Sequence, residues 1–101
     1  MENRLCLIAS IIERDAIRYT PAGIPVVTAR LQHRSTQTEA EIERIVEFEI
    51  PATAIGKIAG MLEKLEPGQI QRFTGFMAGK SKKSKSLVFH ITNMTSITDN
   101  E

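Results

Sequence analysis

The chain has 101 residues, of which 42% are hydrophobic and 25% charged, a size that suits one domain and a composition typical of a soluble globular protein. The formal net charge is +1, which excludes the strongly basic type of nucleic-acid binder and leaves the distribution of charge as the informative quantity. No apolar run approaches the roughly 18 residues of a membrane span. Met1-Glu2-Asn3-Arg4 leads into too short an apolar stretch for a signal peptide, so a cytoplasmic location is expected.

The first predicted strand, Leu5 to Ile12, is almost continuously apolar, as in a strand buried on both faces. The lone Cys6 falls in it and reads as a buried small hydrophobe in a reducing compartment. Tyr19-Thr20-Pro21-Ala22-Gly23-Ile24-Pro25 is a turn signal. Val26 to Arg34 then alternates, with Val27, Ala29, Leu31 and His33 on one face and Thr28, Arg30, Gln32 and Arg34 on the other. Ser35 to Glu41 is polar and is expected as an exposed loop.

A third strand is predicted over Ile42 to Ile50, with Val46, Phe48 and Ile50 inward and Glu43, Ile45, Glu47 and Glu49 outward, ended by Pro51. From Ala52 the period becomes helical. Ile55, Ile58, Ala59, Leu62 and Leu65 share a face, Thr53 is the expected N-cap, and Glu66-Pro67-Gly68 is the stop. Gln69 to Met77 is the fourth strand, with Ile70, Phe73 and Phe76 offered to the core and Gly75 marking a bend or bulge. Ala78 to Ser86 is a flexible basic loop. The fifth strand covers Ser86 to Ile97, where Leu87, Phe89 and Ile91 alternate with Val88, His90 and Thr92. A tail, Thr98 to Glu101, follows.

Three strands, one short helix and two strands in about 100 residues is the order of an OB-fold, a five-stranded, partly open barrel. The chain is thus expected as a single all-β domain over 1–101, with the flexible basic loop at about 79–86.

In that loop Lys80, Lys82, Lys83 and Lys85 place four of the chain's 13 basic residues within six positions. It joins the fourth and fifth strands, where OB-folds commonly grip oligonucleotides, and lysines there can follow a phosphate backbone without reading bases. Arg30 and Arg34 lie on a neighbouring strand face. Stacking is expected to be poor: there is no Trp, one Tyr and four Phe, and Phe48, Phe73, Phe76 and Phe89 all fit core positions. Outward Glu47 and Glu49 would repel phosphate. Glu39, Glu41 and Glu43 read as one solvated strand face. His33 and His90 have no partners at metal spacing, and no nucleophile motif or phosphate-cradling loop is present. Neither an enzyme nor a cofactor is expected.

Asn3-Arg4-Leu5, Pro21-Ala22-Gly23-Ile24-Pro25, Leu31-Gln32-His33-Arg34-Ser35 with Gln37 and Glu39-Ala40, Pro51, and Gly68 followed by Gly75-Phe76 together resemble the primosomal replication protein N (PriB) family. The likeness covers essentially the whole chain. It implies an OB-fold homodimer related to bacterial single-stranded DNA-binding proteins, acting in the restart of stalled replication forks. It further implies binding of single-stranded DNA, contact with and stimulation of a primosomal helicase, and recruitment of a helicase-loading protein. Arg34 and Arg44 match basic positions of the family, Arg18 keeps the charge where a basic residue is usual, and the loop lysines keep theirs. Two departures remove stacking: Glu47 stands where a family tryptophan can sit, and Ile42 where an aromatic can precede it.

The expected DNA-binding set is therefore Arg18, Arg30, Arg34, Arg44, Lys80, Lys82, Lys83 and Lys85. A second reading, a protein–protein adaptor with little DNA affinity of its own, rests on the acidic stretch Glu39 to Glu49 and the missing aromatics. A third, an RNA-binding OB-fold, stays open because phosphate contacts separate the two sugars poorly. A homodimer also follows from the apolar first strand, which can hide an unpaired edge against its own copy.

Overall fold

A computed structural model describes residues 1–97, so the tail expected over Thr98–Glu101 lies outside the described residues. The order is β1 (Leu5–Arg14), β2 (Arg18–Tyr19), β3 (Pro25–Glu39), β4 (Ile42–Ile55), α1 (Lys57–Glu63), β5 (Ile70–Gly79) and β6 (Leu87–Ser96). The sheet runs β1-β5-β6-β4-β3-β2, and a further pairing of β1 with β3 closes five of these strands into a barrel. This is the expected OB-fold, with the two-residue β2 added on β3.

Alternation fills the barrel. Leu7, Ala9 and Ile11 of β1, Val27 and Leu31 of β3, Ala52 and Ala54 of β4, Phe73 of β5 and Phe89 and Ile91 of β6 form one buried cluster. Phe73 and Phe89 are its largest members, and truncating either to Ala would cost about 3–5 kcal/mol. Cys6 and Ile8 alternate with this inner set and are exposed, so Cys6 is not the buried hydrophobe that the apolar run suggests. Two bulges keep the faces in phase. Ile12 is the extra residue of β1 against β3, and Thr92 the extra residue of β6 against β5, at the step from Thr74 to Gly75. The Thr92 hydroxyl donates to the carbonyl that the second bulge leaves at Thr74, at 3.2 Å.

The main departures from expectation lie in β3 and β4. Ser35 to Glu39 is strand, not loop, and β3 pairs β4 without a break from Val26↔Ile55 to Glu39↔Ile42. Ala40 and Glu41 make a two-residue turn with φ of 53° and 67°, as a type I′ hairpin requires. The usual Asn-Gly signal is absent there. Beyond the barrel both faces of this hairpin meet solvent, so the inside–outside alternation that marks a strand is lost, although Thr36 and Thr38 favour extended backbone. Glu39, Glu41 and Glu43 consequently lie on β3, in the turn and on β4 rather than along one strand face.

Pro51 does not end β4. The strand continues to Ile55, and Ala52 and Thr53 pair in parallel with Phe89 and His90 of β6. Thr53 is therefore a buried strand residue and not an N-cap. The helix starts later, at Lys57, after Gly56 with φ 87° and ψ −144°, a conformation that favours glycine. Seven residues are marginal as a helix, and burial of Ala59 and Leu62 against the barrel holds them. Leu65 is also buried, and its carbonyl accepts a hydrogen bond from the Arg14 guanidinium.

Gly75 is needed for contact and not for flexibility. A Cβ there would collide with the backbone carbonyl of His90 on β6. Gly75→Ala should therefore destabilise the fold by about 3 kcal/mol, at the upper end of ordinary overpacking. Urea unfolding checks this; a loss below about 0.5 kcal/mol would show that β5 and β6 are not held this close.

Candidate nucleic-acid interface

OB-folds bind oligonucleotides on the face of their second and third barrel strands and with the loops after the first and fourth. Here that face belongs to β3 and β4. The register sets Arg34 directly opposite Glu47 and Gln32 opposite Glu49, with Arg30 one step along. Two exposed ion pairs follow, Arg34 to Glu47 at 3.5 Å and Arg30 to Glu49 at 3.8 Å. Arg44 lies on the other face of β4, near the hairpin tip, and pairs with Glu39 at 2.8 Å. Three of the expected cationic residues thus each face a glutamate. Exposed pairs of this kind are worth only about 0.2–1 kcal/mol, so they add little stability. Their consequence is electrostatic: a phosphate approaching either arginine also approaches a carboxylate.

His33 also sits on β3, where it diverges from β1. The β1–β3 ladder ends at Ser10↔Gln32. Beyond it, His33 Nδ1 lies 2.7 Å from the Ile8 carbonyl oxygen and its Nε2 lies 2.7 Å from the Ser35 hydroxyl. The Gln37 amide donates to the same hydroxyl at 3.0 Å. With Nδ1 carrying the proton toward Ile8, Nε2 accepts from Ser35. The ring stands 5.1 Å from that of Phe48. The His-Arg-Ser piece of the sequence is therefore a bridge across the gap between two strands, with Arg34 turned to the opposite face.

The expected basic loop leaves β5 after Gly79 and enters β6 at Leu87. Its base is fastened by the Lys80 amide donating to the Ser86 carbonyl at 2.8 Å, and inside it the Ser84 amide donates to the Ser81 carbonyl at 3.2 Å. Lys80, Lys82, Lys83 and Lys85 are all exposed. A cleft of about 440 Å³ lies between the loop and the β3–β4 face, lined by Arg30, Pro51, Lys80, Leu87 and Val88 among others. Lys80 and Arg30 thus meet at one site. Arg18 does not join it as a lining residue; it is exposed on β2, paired in register with Val26, beside an exposed Tyr19.

Two phenylalanines are misplaced by a reading from alternation alone. Phe48 points to the predicted side and Phe76 to the opposite one, and each is 39% exposed. Phe48 lies beyond the filled part of the barrel. Phe76 lies outside it and stacks on His90, with centroids 5.0 Å apart and planes within 6°. The one signal in the sequence is the neighbouring Gly75, whose close strand contact brings the two rings together. Among the described residues, no group of three His, Cys, Asp or Glu side chains could hold a metal ion, and no helix is long and apolar enough to cross a membrane.

Residues 3–93 match a model described as another single-strand binding protein family. Curated relatives named replication restart protein PriB include those of Nitrosomonas europaea, 37% identical over 88% of this chain and 82% of the relative, and Neisseria meningitidis serogroup B, 39% identical over 91% and 92%. The chain belongs to the PriB family of single-strand binding proteins. A solved PriB from Ralstonia solanacearum superposes with a TM-score of 0.87 at 41% identity, covering 97% of this chain and 100% of that one. Set within the PriB fold, Glu47 has a physical role beyond the lack of a ring: it occupies Arg34.

Proposed function

We propose that this chain is a non-catalytic, cytoplasmic accessory protein of replication restart that binds single-stranded DNA mainly through phosphate contacts and stimulates a primosomal helicase. The observation that carries this reading is the set of four exposed lysines on the β5–β6 loop, beside the cleft that Lys80 shares with Arg30. Lysines on such a loop neutralise phosphates without selecting bases, and the affinity they supply falls steeply with salt. Arg18 extends the cationic set at the other loop. Arg34 and Arg44 join it by exchanging Glu47 and Glu39 for phosphate, which weak exposed pairs permit. Carboxylates left beside the DNA then limit the gain, so the lysines dominate.

The adaptor reading is favoured by one observation. Ile42 and Ile45, at the free end of the β3–β4 hairpin, are 60% and 66% exposed within the acidic stretch. One exposed isoleucine on each face of the hairpin tip, with charged neighbours, suits a protein partner that grips the tip from both sides, such as the helicase or the helicase-loading protein.

Assembly as a homodimer completes the reading. Leu5 to Ala9 of β1 pair with β5 on one edge, and among the described residues no strand pairs with the other. Such an edge is a template for a second copy about a two-fold axis. Sedimentation at micromolar concentration should show a dimer; a monomer there would remove this part of the proposal.

Lys82→Ala with Lys83→Ala should weaken binding of a labelled oligo-dT roughly 10- to 30-fold at about 0.1 M salt, and lower the slope of log affinity against log salt by about 1.4, from two contacts at about 0.7 each. Fluorescence anisotropy over a salt series checks this. Unchanged affinity in the variant would remove the loop assignment. Absence of binding by the unaltered chain even at low salt would leave the adaptor.

A further inference from the structure

Charge is divided unequally between the two halves of the barrel. From Pro25 to Ile55 there are five glutamates, Glu39, Glu41, Glu43, Glu47 and Glu49, against three arginines, Arg30, Arg34 and Arg44. From Gln69 to Ile97 there is no acidic residue, and Arg72, Lys80, Lys82, Lys83 and Lys85 supply five cations. The face on which an OB-fold ordinarily carries its oligonucleotide is here the acidic one. Within residues 69–97 no carboxylate side chain stands among these cations.

This second half also holds an aromatic surface. Phe76 and His90 are partners in the β5–β6 register and their rings are stacked on the barrel exterior. A Phe ring left 39% exposed while Phe73 and Phe89 are fully buried is not part of the core. The pair is also rigidly placed. Gly75 brings the two backbones into contact, and the parallel pairing of Thr53 with His90 anchors β6 from its other side. Met77↔Phe89, Ala78↔Val88 and Gly79↔Leu87 are the next positions of the ladder, so the rings stand four residues, roughly 13 Å, from Lys80 at the base of the loop. Exposed Thr92 and Asn93 flank His90 on the other side and provide hydrogen-bonding groups.

We infer that Phe76, backed by His90, is a base-stacking platform, and that single-stranded DNA gripped at the lysine loop runs on along the outer face of β5 and β6, beyond the phosphate contacts proposed for Arg30, Arg34 and Arg44. The inference rests on the proposed binding of single-stranded DNA and adds the position of its bases. An aromatic ring presented to solvent accepts the π-face of any base, so the platform adds affinity without sequence preference. It replaces the stacking that Glu47 and Ile42 do not offer on the other face.

The chain has no tryptophan, so Phe76→Trp gives a single reporter at the platform. The probe is oligo-dT, compared with an abasic oligomer of equal length, and anisotropy is measured in parallel. Oligo-dT should quench the variant's fluorescence and the abasic oligomer should not. Phe76→Leu, which keeps an apolar side chain at this exterior site, should weaken oligo-dT binding roughly 10-fold, the loss of about one base–aromatic stack, while leaving abasic binding unchanged. Oligo-dT binding with no quenching, and with full affinity in Phe76→Leu, would overturn the platform and leave the lysine loop standing. No binding of either oligomer by the unaltered chain would overturn the DNA-binding reading and the platform with it.

Discussion

Two residue pairs, Ala52↔Phe89 and Thr53↔His90, join β4 to β6 in parallel. They close the barrel across a gap that no hairpin could bridge, because the strands run the same way and a helix and a further strand separate them in sequence. Phe89 is thereby held in the core, while His90 is set outward against Phe76. The same seam brings the start of β6, and with it the lysine loop, beside Pro51 and Arg30 to form the cleft. A β4 that stopped at Pro51 would leave the barrel open and the loop without a floor. Gly56 allows the continuation, since its backbone conformation postpones the helix until the strand has made this contact.

Electrostatics, more than shape, then separates this chain's surfaces. Within the β3–β4 hairpin each arginine stands beside a glutamate, whereas the lysines of the β5–β6 loop have no carboxylate neighbour in their own segment. Those pairs are too exposed to contribute much stability. What they change is the field that a phosphate meets. The net charge of +1 combines an acidic hairpin at −2, a basic β5–β6 half at +5 and an acidic tail at −2, so the bulk value conceals an uneven distribution.

Much of this arrangement was legible in the residues. The alternation of Val27, Ala29 and Leu31 with Thr28, Arg30 and Gln32 identified both faces of β3, and the lysine cluster marked its loop. The order of elements indicated the barrel. Ser35 to Glu39 was not legible as strand, because a hairpin arm standing in solvent needs no alternation and its turn uses Ala40-Glu41 in place of Asn-Gly. Ala52 to Ile55 followed a helical period although the segment is strand; pairing with both β3 and β6 outweighs the local pattern. The ion pairs depended on knowing that the hairpin continues unbroken, since only then does Arg34 face Glu47. Phe76 was assigned to the core because apolar type alone does not distinguish a filled interior from a ring stacked on a barrel's outer wall.

The most direct measurement is a titration of isotope-labelled protein with a short oligo-dT at low salt, following every backbone amide by NMR. We expect the largest and earliest shifts at Phe76, His90 and Lys80 to Ser86, with smaller changes along Thr28 to Arg34 and Glu43 to Glu49. Shifts concentrated on Arg30, Arg34, Glu47 and Glu49, with the β5–β6 amides unmoved, would contradict it: the DNA would then lie on the acidic face, and charge distribution would not be what directs it.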